Sequence, residues 1–154
     1  MPAPSFAGPF DYREILESLM KWPVIKSAME PVVIVAAGPA TTENLYWGPT
    51  GAIRYNTVNA TANWTANLQW NANRPLNSAL RIGQAITFAH ITTQGVTAYY
   101  PNVVKIDGVT VTPKYQGGTA WTAGNASGLD VYTFNVTKTA DRTFLLMAAQ
   151  SQFK

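Results

Sequence analysis

Cysteine is absent from this chain. That excludes a disulfide framework and any thiolate-ligated metal site, and it fits folding in a reducing cytoplasm. Histidine occurs once, at His90, so a metal site built from several imidazoles is excluded too. Charged side chains are 12% of the residues, about half of the usual ~25%. Threonine (18) and asparagine (11) carry the polarity instead, a composition that suits a β-rich assembled particle better than a solvated enzyme. The longest apolar run, Val32–Ala37, is far short of the ~20 residues that a membrane-spanning helix needs. The opening Met1-Pro2-Ala3-Pro4 has no basic stretch leading into an apolar one, so no secretion signal and no membrane insertion are expected. Without secretion, the four Asn-X-Ser/Thr sequons at Asn59, Asn63, Asn125 and Asn135 are chance products of the composition.

What charge there is lies unevenly. Residues 1–45 hold five acids and three bases, and residues 46–154 hold eight bases and three acids. The bases are scattered singly. Nucleic-acid binding needs clustered Lys and Arg, so no nucleic-acid partner is expected, and a mildly basic face toward an acidic partner fits better.

The pattern of the chain divides near residue 31. Pro2, Pro4 and Pro9 open an extended lead. Tyr12, Ile15, Leu16, Leu19 and Met20 then recur at helical spacing and form one apolar stripe. Asp11 with Glu14 resembles a capping box, and Pro23 stops the helix. About three turns are too short to stand alone in water, so this helix must pack on something: either the chain's own sheet or another subunit. Residues 1–31 are therefore read as an N-terminal arm, with Tyr12, Ile15, Leu16, Leu19 and Met20 as candidate interface residues.

From Val32 onward the apolar period is two. Strands are expected at Val32–Ala37, Ala52–Val58, Trp64–Trp70, Ala85–Thr93, Val96–Tyr100, Val103–Ile106, Val109–Thr112, Leu129–Val136 and Thr143–Ala149, and Ala40–Gly51 reads as a loop. Asp107-Gly108 is a strong hairpin signal, and Gln116-Gly117-Gly118 and Ala140-Asp141-Arg142 read as turns. Turn signals every 8–12 residues argue for an antiparallel β-sandwich of jelly-roll type over residues 32–154. No internal repeat is visible.

Little here can do chemistry. His90 stands alone in mid-strand. Asp107 and Asp141 have conformational reasons to occupy turns, and Asp130 opens a strand. Two carboxylates facing one cleft, as glycoside hydrolysis requires, would have to come from Asp107 and Asp130 by accident of fold. Gly117-Gly118 is not a phosphate loop, since no Lys-Ser/Thr follows. No catalytic, cofactor-binding or metal-binding residue is assigned, and no enzymatic activity is expected. The aromatics keep a binding potential: Trp64 and Trp70 read as core, whereas Trp121, in a Gly/Thr loop with no strand pattern, is the candidate for an exposed interface or ligand contact.

Taken together and in order, several pieces resemble a β module of tail-fibre and other virion structural proteins of tailed bacteriophages, of the marine and cyanobacterial phage type. They are Gln84-Ala85-Ile86-Thr87, Thr93–Tyr100, Ile106-Asp107-Gly108, Pro113–Ala120, Gly124-Asn125-Ala126, Asp130–Phe134 and Ser151-Gln152-Phe153, spread over about ninety residues. The chain departs from the module at Trp121-Thr122-Ala123, where a Pro-Ser or Pro-Thr sequence is expected, and residues 1–45 match no part of it. The resemblance implies a non-enzymatic particle component, assembled in the host cytoplasm, with other virion proteins and copies of itself as partners (a trimer favoured). A short tail fibre or fibre-attachment subunit fits first. A capsid decoration protein and a host-glycan-binding module, the latter using Trp121, are the alternatives.

Overall fold

The four β-branched residues Val32-Val33-Ile34-Val35 form the first strand of a computed structural model that describes residues 30–48 and 50–154. The expected helix with Tyr12, Ile15, Leu16, Leu19 and Met20 lies outside the described residues. The elements are β1 (Val32–Val35), β2 (Thr42–Tyr46), β3 (Ile53–Ala60), β4 (Trp64–Gln69), a short helix α1 (Leu76–Ala79), β5 (Ala85–Gln94), β6 (Pro101–Ile106), β7 (Val109–Thr110), β8 (Lys114–Tyr115), β9 (Leu129–Ala140) and β10 (Thr143–Phe153). The domain is all-β. Six strands form one sheet in the order β1-β3-β5-β9-β10-β8, and four form a second in the order β2-β4-β6-β7.

The connectivity corrects the antiparallel expectation. From β1 to β6 the chain alternates between the sheets, and each return to a sheet runs in the same direction as the strand before it. Val32 comes to lie beside Ile53, Ile53 beside Ala89, Thr42 beside Thr65 and Thr65 beside Val103, all in parallel pairs. Antiparallel pairing is confined to β5–β9, β9–β10 and β6–β7. β8 joins the far edge parallel to β10. A turn signal marks where a strand ends. It does not say whether the next strand folds back beside it or crosses to the other sheet, and here most cross.

Two local expectations also change. Thr42–Tyr46 lies inside the expected loop but is strand β2. Its inward positions are Glu43 and Leu45, both buried, and the carboxylate of Glu43 is ion-paired to Arg54 on β3. A buried, paired acid breaks the apolar alternation that announces a strand. Conversely, the expected strand Val96–Tyr100 is irregular. The side-chain amide of Gln94 accepts from Tyr99 N–H at 3.0 Å and donates to Tyr99 C=O at 2.7 Å. One side chain thus satisfies the backbone that a neighbouring strand would have paired.

The hairpin at Asp107-Gly108 joins β6 to β7 as expected, with φ of 51° and 81°, the left-handed pair of a type I′ turn. Asp107 does more than turn the chain. Its carboxylate accepts from Leu76 N–H at 2.7 Å and Asn77 N–H at 2.9 Å, capping α1. At the other end of α1, the buried Lys138 ammonium donates to Asn77 C=O at 2.5 Å and Leu80 C=O at 3.2 Å.

Leu45, Leu68 and Ile106 from one sheet meet Phe88, Phe134 and Leu146 from the other in a single hydrophobic cluster. Along the inner face of the larger sheet the chemistry grades. The rows Ile86–Val136–Leu146 and Phe88–Phe134–Ala148 are apolar, whereas His90–Tyr132–Gln150 and Thr92–Asp130–Gln152 are polar. The Trp121 loop closes over the polar end.

Candidate functional site

β10 presents Ala148 and Gln150 inward, and β8 aligns Tyr115 beside Ala148. The Gly117-Gly118 turn, with both φ near +75° (72° and 79°), then reverses the chain and leads it back as the loop that carries Trp121. These elements enclose a groove of about 240 Å³ lined by Tyr115, Gln116, Thr119, Trp121, Ala149 and Gln150, among others.

Trp121 is half-buried rather than freely exposed. Its indole N–H donates to Pro101 C=O at 2.9 Å. Its ring meets Tyr115, Tyr132 and Phe134 edge-on, at centroid separations of 5.0, 5.1 and 5.7 Å, a geometry that favours aromatic pairs. The Gln150 amide ties the same loop to the sheet, donating to Thr122 C=O and to the Tyr132 hydroxyl, each at 3.2 Å. One edge of Trp121 therefore anchors the loop while the rest of the residue lines the groove.

Behind the groove lies a closed polar network. Asp130 is buried and accepts from Gln94 Nε2 at 2.8 Å and from Asn125 N–H at 3.4 Å. Gly124 packs so close that a side-chain carbon there would strike the Asp130 carboxylate, so the loop passes only because this residue is glycine. Burial raises the Asp130 pKa, against opposing hydrogen bonds from Gln94, Asn125 and Tyr132. Burial, reinforced by the neighbouring Asp130 charge, raises Tyr132. Burial also raises Tyr115. Both phenols stay protonated donors at ordinary pH.

His90 is fully buried in mid-strand of β5. Asn56 Nδ2 donates to Ala37 C=O, which leaves Asn56 Oδ1 to accept from His90 Nε2 at 2.9 Å. That bond places the proton on Nε2. Nδ1 has no hydrogen-bond partner among the described residues, and the Trp64 ring packs against the imidazole in a T-shaped pair. Burial, with the nearby Arg54 charge, lowers the His90 pKa to about 3, so it is neutral at ordinary pH and is bound to an amide rather than to a hydroxyl nucleophile.

Asp130 lies apart from Asp107 and Asp141, which both bind Asn77, and Glu43 is taken up by Arg54. Asp107 caps α1 at the end of β9 that carries Lys138, far along that strand from Asp130, and Asp141 accepts from the Asn77 side chain at 3.0 Å. Among the described residues, no three His, Asp or Glu side chains gather as metal ligands, and no helix is long and apolar enough to cross a membrane. The groove offers two aromatic rings with amide and hydroxyl groups at its rim, which is a surface for stacking and hydrogen bonding. Gln150 is the residue that sequence reasoning passed over, and Asp130, weighed there only as a cleft carboxylate, is instead the centre of a buried network. Strict alternation along Asp130–Val136 did hold the signal for Asp130, by placing it on the Tyr132/Phe134 face. No protein family, curated protein or solved structure matches the chain.

Proposed function

We propose that this chain is a structural protein of a tailed-phage virion, acting as a short tail-fibre or fibre-attachment subunit through contacts with other virion proteins, with copies of itself and with the host surface. In this reading residues 1–31 are the docking arm and the two-sheet domain projects. The observation that carries the proposal is the use made of the phage-like motifs. Ile106-Asp107-Gly108 is the hairpin that caps α1, Gly124 accommodates Asp130, and Asp130–Phe134 lies in β9 at the middle of the larger sheet. Every one of these pieces serves architecture, as a scaffold module requires. Counting copies in purified particles tests the reading. Tens per particle support a tail station, hundreds move the protein to the capsid as a decoration subunit, and absence from particles overturns the proposal. Deleting residues 1–30 is expected to abolish incorporation.

A second reading, a glycan-binding receptor module, is favoured by the groove itself, where Tyr115 and Trp121 stand beside the amides of Gln116 and Gln150. A glycan array probed with the wild type and with Trp121→Ala decides it. Binding lost in the variant supports the reading, and no binding by the wild type removes it.

A further inference from the structure

The outer face of the larger sheet is wide, and across five of its six strands it is without charge. In strands β1, β3, β5, β9 and β10 the charged residues are Arg54, Asp130 and Lys138. All three point inward: Arg54 to Glu43 of the other sheet, Asp130 to Gln94, and Lys138 to α1. The outward positions therefore carry no formal charge across five adjacent strands. Lys114 on the marginal strand β8 is the first charge met at that side.

The composition of the face follows from register. One outward row runs Ile34–Tyr55–Ile91–Val131–Ser151 across β1, β3, β5, β9 and β10, the next runs Val32–Ile53–Ala89–Thr133–Ala149, and beyond them Thr87–Asn135–Met147 and Ala85–Thr137–Leu145 mix neutral polar with apolar side chains. Toward β10 the face ends in Leu145, Met147 and Phe153, which are 40%, 45% and 55% exposed. Ile34, at the opposite edge, is 69% exposed. Single exposed apolar residues are ordinary; an uncharged face with apolar rows running from strand to strand marks a contact surface.

We infer that this face is where two copies of the chain pack against each other, sheet on sheet. Two observations select a second copy as the occupant. The first is area. Five strands about 4.8 Å apart and some nine residues long give a face of roughly 700 Å², close to the ~800 Å² per partner of a stable protein interface. A three-turn helix, about 15 Å by 10 Å, covers only a fraction of it. The second is charge. A face that meets its own copy about a two-fold axis meets its own charges, and here there are none to repel. Flat rows of β-branched and small side chains are also what two stacked sheets interdigitate. This deepens the assembly reading by naming the surface involved, and it rests on that reading only for the expectation that copies associate.

Sedimentation velocity on the full chain over a wide concentration series tests it, with Thr133→Lys and Thr133→Glu as probes. Thr133 stands near the centre of the face with its side chain outward, so either substitution leaves the interior intact, which circular dichroism checks. The wild type is expected to dimerise. Each variant alone should weaken the dimer at least about tenfold by placing like charges in contact, and an equimolar mixture of the two should restore it. A wild type that stays monomeric overturns the inference and leaves the virion reading to the copy count. Association that ignores both substitutions, or a mixture that fails to recover, also overturns it, and in those cases the assembly reading survives with its contact elsewhere.

Discussion

The two ends of the interior are built on different terms. At one end, Phe88, Phe134, Val136 and Leu146 pack with Leu68 and Ile106 and have no polar atoms to satisfy. At the other, Asn56, His90, Gln94, Asp130 and Tyr132 fill the same layer through specific hydrogen bonds. Dispersion and burial tolerate small adjustments of shape, whereas a buried polar group left without its partner forfeits its full desolvation cost. The apolar end supplies stability. The polar end supplies position: it fixes where Tyr99, the Gly124 loop and Trp121 lie, and hence the walls of the groove.

Four predictions break or sharpen this contrast. Phe134→Ala should have the largest effect, about 3–5 kcal/mol, because Phe134 is fully buried among both sheets; urea denaturation measures it, and a loss under about 1 kcal/mol would show that the apolar end is not the main support. Gly124→Ala should cost about 1–3 kcal/mol or more as overpacking, because the new methyl collides with Asp130. Pairing it with Asp130→Ala should be markedly non-additive in a double-mutant cycle, and additive losses would refute the contact. Gln94→Ala should cost about 1–3 kcal/mol by stripping a donor from Asp130 and the acceptor from Tyr99 N–H, and by leaving Tyr99 C=O with only the Tyr132 hydroxyl at 3.4 Å. It should also alter the near-ultraviolet dichroism of the aromatic loop, by releasing the Tyr99 backbone and the Asp130 network behind Trp121.

The fourth prediction concerns pH. The folded pKa of His90 lies below the unfolded value of 6.5. Its contribution to stability is therefore complete above pH 6.5 and is lost as the pH falls toward about 3, with a slope of up to about 1.4 kcal/mol per pH unit. Asp130 acts with the opposite sign. Its raised folded pKa favours the folded state at acid pH, and that advantage is lost as the pH rises above 3.8. His90→Gln retains an amide donor for Asn56 and removes the imidazole. Urea midpoints followed from neutral to mildly acid pH should fall for the wild type and stay flatter for the variant; parallel curves would show that His90 is not the titrating group.

Much of this was legible in the residues. Period-two patterning placed a strand over Ala85–Thr93, and Asp107-Gly108 announced its hairpin. What escaped was of two kinds. Pairing partners were invisible, since nothing local to Ile53 or Ala89 shows that they lie side by side in parallel strands. Substitutes for backbone pairing were also invisible: Glu43 holds an inward strand position by ion-pairing with Arg54, and Gln94 stands in for a strand beside Tyr99. The expected exposure of Trp121 came from the missing strand pattern around it. That absence located the loop correctly but was silent about the indole bond to Pro101 that draws the ring inward.

The place of β9 in the sheet has a consequence in time. It lies between β5 and β10, yet β6, β7 and β8 come between β5 and β9 along the chain. During synthesis β1 to β6 can wind against one another while β5 still has a bare edge and Phe88 and His90 lack half of their neighbours. Such distant closures are slow to form. The sheet, and with it the uncharged outer face, comes into being only once residues 129–153 are available. A nascent chain thus exposes no finished contact surface to its neighbours until its own core has closed.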